Sequence, residues 1–425
     1  MLEMIFMLVR LTKDIAVVVV TILASVVLTP PAAAQTAAAS SIDELRQRKR
    51  VLEHEVQKLE SENISTNSII LRHLQEQLLE VTGDEDAALQ QLPESPKGFN
   101  DQTSYIAVPV YYVTDRAKTD DRDFGSQLRS HGVEFGLSTV TLGLTYGVRP
   151  DLIAGARNLP QGSRTSPPAI KGMNDEKELI KAIAENKTDA QGRERRVLLF
   201  VHGYDVSFAG AMNAAAKLST EVQFPVIPLA YTWPSDGSYI GYWHDEDVVR
   251  ASYQRLSAFL ETLLTKSPAE VVIVCHSMGA REVTSALVEL IHRGMKTPAL
   301  HKVVFAAGDI SSQEFMEAWP ELQKLNGVQF AFYASDHDLA LRLSHIVHRL
   351  ARLGDASPEI IAPPGGMTVD ASAVDSVFQA AGHSYILNSP KLGADLGMWI
   401  DGEPTPTARG LTQIVRSGQS YYFFP

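Results

Sequence analysis

The stretch VVIVCHSMGAREV (residues 271–283) runs four apolar residues, a cysteine and a histidine into Ser277, and Gly279 follows two residues later. An apolar strand that ends on a serine and turns at once into a helical pattern holds the serine hydroxyl out beyond the end of a sheet. There the oxygen can attack a substrate. A serine hydroxyl is a weak nucleophile at neutral pH, so the chemistry also needs a histidine to take its proton. A carboxylate must then fix the imidazole tautomer and stabilise the imidazolium.

The elements that would position such groups are visible from about residue 103 onward. Strand candidates are IAVPVYYV, VEFGLSTVTL, VLLFV (197–201), VIPLAYTW, VVIVC, KVVFAA and VQFAFYA, with helical patterns at 207–221, 245–264, 278–293 and 311–324. Continuous apolar strands alternating with amphipathic helices predict a mostly parallel sheet covered on both faces. Ligands of such sheets bind beyond the carboxyl ends of the strands. Those ends carry HGYDVSF after VLLFV, HSMGAR after VVIVC, GDI after KVVFAA and SDHDLAL after VQFAFYA, and AAGHSYIL comes later in the chain. They supply Ser277, then several aspartates, then His383.

In that order, FVHGYDVSF, YTWPSDG, CHSMGAR, YASDHDLAL and GHSYIL resemble the α/β-hydrolase superfamily, and more narrowly a bacterial branch of largely uncharacterised, esterase- or lipase-like serine hydrolases. The resemblance covers about residues 103–400. It implies an α/β fold of three layers around a mostly parallel central sheet, with Ser277 as nucleophile and His383 as base. It supplies no substrate, because one fold hosts many chemistries. The oxyanion hole is expected from the backbone N–H of Met278, at a helix start, and of Tyr204, where Gly203 lets the loop approach.

The acid is open among three aspartates. Asp338 lies past VQFAFYA and matches the Ser-x-x-Asp-x-Ala-Leu pattern of the branch through Ser335, Asp338, Ala340 and Leu341, so it is preferred. Asp309, one strand earlier, and Asp336 are the alternatives, and either Asp338 or Asp309 would serve equally as a helix N-cap. His202 and His276 compete with His383. His202 belongs to the oxyanion loop and reads as a hydrogen-bonded support, and His276 on the elbow should point away from Ser277. Two residues depart from the branch pattern. Cys275 stands where a glycine is usual, and Asp205 where asparagine is usual, beside the oxyanion loop. A carboxylate aimed at a developing oxyanion would oppose catalysis, so Asp205 is expected to point away from it.

Other constellations are weaker. HDED (244–247) and the pair His345 and His348 lack metalloprotease or Cys/His spacing and read as helix-surface charge, so no metal and no organic cofactor is expected. Trp233, Tyr239, Tyr242 and Trp243 fit an acyl pocket or the core equally well. Arg281 reads as a structural salt-bridge residue.

The chain has 425 residues, 45% of them hydrophobic, which suffices for a large core. A net charge of −12 argues against nucleic acid or a polybasic membrane contact as partner. Cys275 is the one cysteine, which excludes an intramolecular disulfide. Residues 15–28 are uncharged and apolar behind Arg10 and Lys13, and Ala32-Ala33-Ala34 offers a small-x-small cleavage site. This is the layout of a secretory signal peptide over 1–34. The run is short for a full span, which wants about 20 residues. Periplasmic or secreted protein is expected, with an uncleaved membrane anchor as the alternative.

Leu45, Leu52 and Leu59 follow at heptad spacing within 41–82, a helix whose coiled-coil seam would allow self-association. Lys49, Asn63 and Thr66 on the seam leave a single amphipathic helix equally open. Residues 83–102 read as an acidic, proline-broken linker, and 103–425 as the hydrolase domain. The expected function is hydrolysis of a small-molecule or lipid-like carboxylic ester. Acyl transfer, peptidase or thioesterase chemistry, or a non-catalytic envelope interaction protein on the same scaffold are the alternatives.

Overall fold

The computed structural model of the protein describes residues 104–120, 123–144, 149–160, 163, 168–235, 242–338, 341, 344, 350–374, 385–403, 405–416 and 418–425. The signal, helical and linker segments read from 1–102 lie outside the described residues, as does His383.

The described strands are β1 (Ser104–Thr114), β2 (Arg116–Asp120), β3 (Asp123–Leu128), β4 (Glu134–Leu144), β5 (Arg157–Asn158), β6 (Ala169–Met173), β7 (Arg196–Val201), β8 (Val226–Thr232), β9 (Val271–His276), β10 (Leu300–Ala306), β11 (Gln329–Ala334), β12 (Met367–Asp370), β13 (Thr412–Arg416) and β14 (Gln419–Phe423). The described α-helices are α1 (Glu176–Glu185), α2 (Phe208–Glu221), α3 (Tyr242–Lys266), α4 (Gly279–His292), α5 (Ser312–Leu322), α6 (Tyr385–Asn388) and α7 (Pro390–Asp401).

One large sheet runs in the order β13-β14-β12-β11-β10-β9-β7-β8-β1-β4-β6, with β5 against β1. From β14 to β1 every neighbouring pair is parallel, and antiparallel pairing is confined to the flanks and to β5. The reason is visible in β9. Val271, Ile273 and Cys275 enter one apolar cluster, with α1, α3, α4 and α5 residues such as Leu179, Leu256, Val283 and Phe315. Val272 and Val274 enter the other, with Phe208 and Met212 of α2 and Leu392 and Leu396 of α7. A strand buried on both faces has no polar side, which is why it reads as an unbroken apolar run.

The chain leaves β7 for β8 on one side and returns to β9 on the other. It is at such a reversal, beyond the carboxyl ends of strands like β7 and β9, that an open α/β sheet places its ligand. Among the described residues no helix is long and apolar enough to cross a membrane.

Candidate active site

Ser277 follows β9 directly, and α4 begins two residues later. Its φ is +53°, a left-handed conformation that is uncommon for a residue with a side chain. The surroundings hold it there. Ser277 N–H donates to the Ala306 carbonyl at 3.1 Å, and the Ser277 carbonyl accepts from Asp309 N–H at 2.9 Å and Ala280 N–H at 3.0 Å. Strain over-determined by neighbours and placed at a strand end is characteristic of a nucleophile turn. Ser277 is 2% exposed.

Two glycines permit this turn. A Cβ on Gly203 would lie 2.5 Å from the Ser277 Cβ, and one on Gly279 would lie 2.6 Å from the His202 carbonyl and 2.7 Å from that of Val201. The end of β7 is thus pressed against both the serine and the first turn of α4. Cys275, two residues before the serine, is fully buried and its Sγ lies 3.2 Å from the Val304 carbonyl. Burial pushes its thiol pKa well up, so it packs as a neutral small side chain.

Met278 is the N-cap of α4 and makes no side-chain capping bond. The first N–H groups of a helix lack the partner four residues back. Here those of Ala280 and Arg281 donate to the Ser277 and Met278 carbonyls, which leaves the N–H groups of Met278 and Gly279 as the candidates beside the serine. Tyr204 follows Gly203 and is partly buried against the core. Asp205 has φ +58°, a region that aspartate and asparagine enter more readily than most residues. The backbone accounts for this residue type.

His202 is committed elsewhere. Its Nδ1 lies 2.7 Å from the Gly203 carbonyl, an acceptor, so Nδ1 carries the proton. Nε2 then accepts from the Thr232 hydroxyl at 3.1 Å and faces the Arg116 guanidinium at 3.4 Å. Burial, with Arg116 next, drives its pKa well below the usual value and keeps it neutral. Trp233 stacks on the ring at 4.9 Å and donates its indole N–H to the His202 carbonyl at 2.9 Å. Trp233 is therefore a wall of this support, fully buried. Tyr239 lies outside the described residues, as do the side chains of Tyr242 and Trp243.

The three aspartates differ sharply. Asp336 is exposed and lies 3.4 Å from His337. Asp309 is buried, accepts from the Ser344 hydroxyl at 2.7 Å, and faces Arg281 and Arg352 at 3.4 Å each. Arg281 also donates to Glu246 and to the Asp309 carbonyl. Asp338 is fully buried and its Oδ1 accepts from Leu341 N–H at 3.0 Å. In register, His276, Ala306 and Tyr333 lie side by side on β9, β10 and β11, so Asp309 emerges one strand from Ser277 and Asp338 two.

HDED is only partly a surface run. Asp247 is exposed, but Asp245 is fully buried beneath the Ser235 hydroxyl, and Glu246 holds Arg281. His345 and His348 lie outside the described residues. Among the described residues no three His, Cys, Asp or Glu side chains are grouped to hold a metal ion.

Arg116 is a supporting residue that the motifs did not reveal. It is 1% exposed, and its guanidinium donates to the Val206 carbonyl at 2.5 Å, the Thr232 hydroxyl at 2.8 Å and the Gly125 carbonyl at 3.1 Å. It thereby ties the loop after β7 to the ends of β1 and β8. Its sequence signal was faint: a cation at the end of a long apolar strand.

A parallel sheet with helices on both faces, a strained serine after a central strand and a glycine loop against it define an α/β hydrolase. The model of an alpha/beta hydrolase family of unknown function, DUF900, matches residues 175–396, and the chain belongs to that family. Among solved structures the chain aligns with a putative thioesterase from Silicibacter sp. TM1040, at 14% identity over 47% of this chain and 71% of that one, with a TM-score of 0.25. An arylesterase aligns at 8% identity over 81% of this chain and 97% of its own, with a TM-score of 0.29. The phospholipase PlaB from Legionella pneumophila aligns at 10% identity over 54% and 68%, with a TM-score of 0.28. No curated protein matches the chain.

Proposed function

We propose that the protein is an exported serine hydrolase that cleaves a small-molecule or lipid-like carboxylic ester through an acyl-enzyme on Ser277. The observation that carries this reading is the Ser277 turn: φ +53° between β9 and α4, with Gly203 packed against the serine. In this reading His383 takes the Ser277 proton as the hydroxyl oxygen attacks the ester carbonyl. Asp338 holds the imidazole, and the N–H groups of Tyr204 and Met278 receive the oxyanion. The alcohol leaves with the proton from His383; water, deprotonated by the same histidine, then releases the acid and restores Ser277.

Asp338 is preferred to Asp309 because the Asp309 carboxylate already faces two arginines and a serine hydroxyl. A carboxylate neutralised in that way orients an imidazole poorly. The apolar segment before Ala34 supports export to the periplasm or medium, and the heptad-bearing segment 41–82 supports self-association. The test is labelling with a serine-directed fluorophosphonate, read by intact mass. One adduct on the wild type and none on Ser277→Ala is expected; an unlabelled, folded wild type would sink the reading.

A further inference from the structure

Behind the elbow, four buried polar residues from four elements meet. Asp115 follows β1, Tyr231 lies on β8, Ser252 on α3 and Glu282 in the first turn of α4, and each is 0% exposed. The Ser252 Oγ lies 2.6 Å from Asp115 Oδ2, 2.6 Å from Glu282 Oε1 and 3.2 Å from the Tyr231 hydroxyl.

Counting protons decides what this cluster is. An O···O separation of 2.6 Å needs a proton between the oxygens. Ser252 owns one and can give it to one carboxyl only. The second short contact therefore carries a proton that belongs to the other carboxyl, which donates to the Ser252 oxygen. Two ionised carboxylates on one hydroxyl would leave a bare contact between an anion and a lone pair in a site without water access.

The surroundings say which carboxyl is neutral. Asp115 has the positive charges of Arg255 on α3 and of the adjacent Arg116 to stabilise its anion, and Tyr231 also supports it. Glu282 has no such cation and has the Asp115 charge as its neighbour. One oxygen of each carboxyl, Asp115 Oδ1 and Glu282 Oε2, has no hydrogen-bond partner among the described residues, so it is the neighbouring charges that separate the two. The preceding residue on α4, Arg281, is turned to Glu246 and Asp309. Asp245 acts on Arg116 rather than on this pair.

We infer that Asp115 and Glu282 hold one proton between them at neutral pH, that Glu282 carries it, and that α4 docks on α3 and β1 only while it does. Glu282 donates to Ser252, Ser252 donates to Asp115, and loss of the Glu282 proton places a second buried charge between the same elements. The inference stands whether or not Ser277 is a nucleophile.

The direction of the pH effect follows. Burial pushes the Asp115 carboxyl up from 3.8 to about 6, and burial and Asp115 push Glu282 well above the usual carboxylate range. The folded chain therefore holds protons that the unfolded chain has released. This contribution to stability is complete below the ordinary carboxylate values and is lost as pH rises through the raised ones.

The experiment is infrared spectroscopy of the full chain in the region of the neutral-carboxyl carbonyl stretch, with thermal midpoints from about pH 5 to about pH 9. The wild type should show a neutral-carboxyl band at about pH 7, and Glu282→Gln should lose it, because the amide keeps the donor without the acid. The Glu282→Gln midpoint should also fall less over that pH range than the wild-type midpoint. Asp115→Asn should keep the band, which serves as the reporter if Glu282→Gln does not fold. A wild type without the band, a Glu282→Gln protein that retains all of it, or an Asp115→Asn protein that loses it would overturn the assignment.

Discussion

Gly203 and Ser277 approach more closely than any side chain at position 203 would allow: a Cβ there would lie 2.5 Å from the Ser277 Cβ and 3.1 Å from its Oγ. The contact joins two loops that are separated in sequence but meet where the strand order reverses between β7 and β9. It also brings the Tyr204 backbone, one residue on, to the neighbourhood of the serine. Neither loop can move toward the other, so the relation between Ser277 and that backbone is set by the missing side chain.

Gly203→Ala should therefore lower turnover far more than stability. The methyl must push the loop or the serine aside, and a displaced oxyanion donor costs on the order of 10²–10³ in kcat. Short-chain aryl ester kinetics beside a thermal melt separate the two effects. Full turnover in Gly203→Ala would show that the loop has no part in catalysis.

Gly279→Ala tests the other side of the same junction, and stability should suffer first. Its methyl would meet the carbonyls of Val201 and His202, which are backbone atoms and cannot rotate away. Overpacking of this kind costs about 1–3 kcal/mol. A denaturant titration reads it, and an unchanged midpoint would mean that α4 is not seated against β7 as described.

Much of this architecture was legible in the sequence because the central strands are buried on both faces. VLLFV, VVIVC and VQFAFYA became β7, β9 and β11 for that reason. The four helical patterns became α2 to α5. Other elements depend on tertiary contacts that no local pattern encodes. α7 contains Gly393 and Gly397, poor helix formers, because a Cβ at either position would collide with Glu221 or Val222 at the end of α2. The β13–β14 hairpin is half-exposed, so its residues lack the apolar run that marked the centre.

The site divides in the same way. Ser277 was readable, since a strand, a serine and a glycine in a row carry their own geometry. Arg116, Asp115, Ser252 and Glu282 were not, since a buried polar residue is defined by partners on other elements: Ser252 is 137 residues from Asp115 and 30 from Glu282. Nothing in the sequence around Glu282 marks it as buried; in the structure it is fully buried.

Ser277→Ala should abolish ester hydrolysis while leaving the melt nearly unchanged, since alanine fits wherever serine does. Loss of an activated nucleophile costs on the order of 10⁶ in turnover. Substantial residual activity, with no adduct on any other residue, would end the serine-hydrolase reading.

The export reading makes its own prediction. Protein recovered from the cell envelope should begin near Gln35, following cleavage after Ala34. Intact mass measures this directly. A mass that includes residues 1–34 would favour the anchored form instead.

The acid is tested by paired substitutions with opposite signatures. If Asp338 orients His383, Asp338→Asn should cut turnover by about 10⁴, because the amide supports the wrong imidazole tautomer. Its stability cost should stay below that of one lost capping bond, about 0.5–2 kcal/mol, since Oδ1 accepts from Leu341 N–H and an asparagine oxygen can do the same. Asp309→Asn should behave in the reverse way. Its carboxylate is buried between Arg281 and Arg352 and accepts from Ser344, so neutralising it removes the carboxylate that faces the buried Arg352 and leaves Arg281 to Glu246 alone. Breaking a buried pair by removing one partner costs about 3–5 kcal/mol. The folded fraction should nevertheless turn over ester at close to the wild-type rate per active site, counted by fluorophosphonate titration. Normalising to titrated sites is what separates the two residues, because an unfolded enzyme otherwise imitates a catalytic defect. A dead but fully folded Asp309→Asn beside an active Asp338→Asn would exchange the two assignments and leave those of Ser277 and His383 standing.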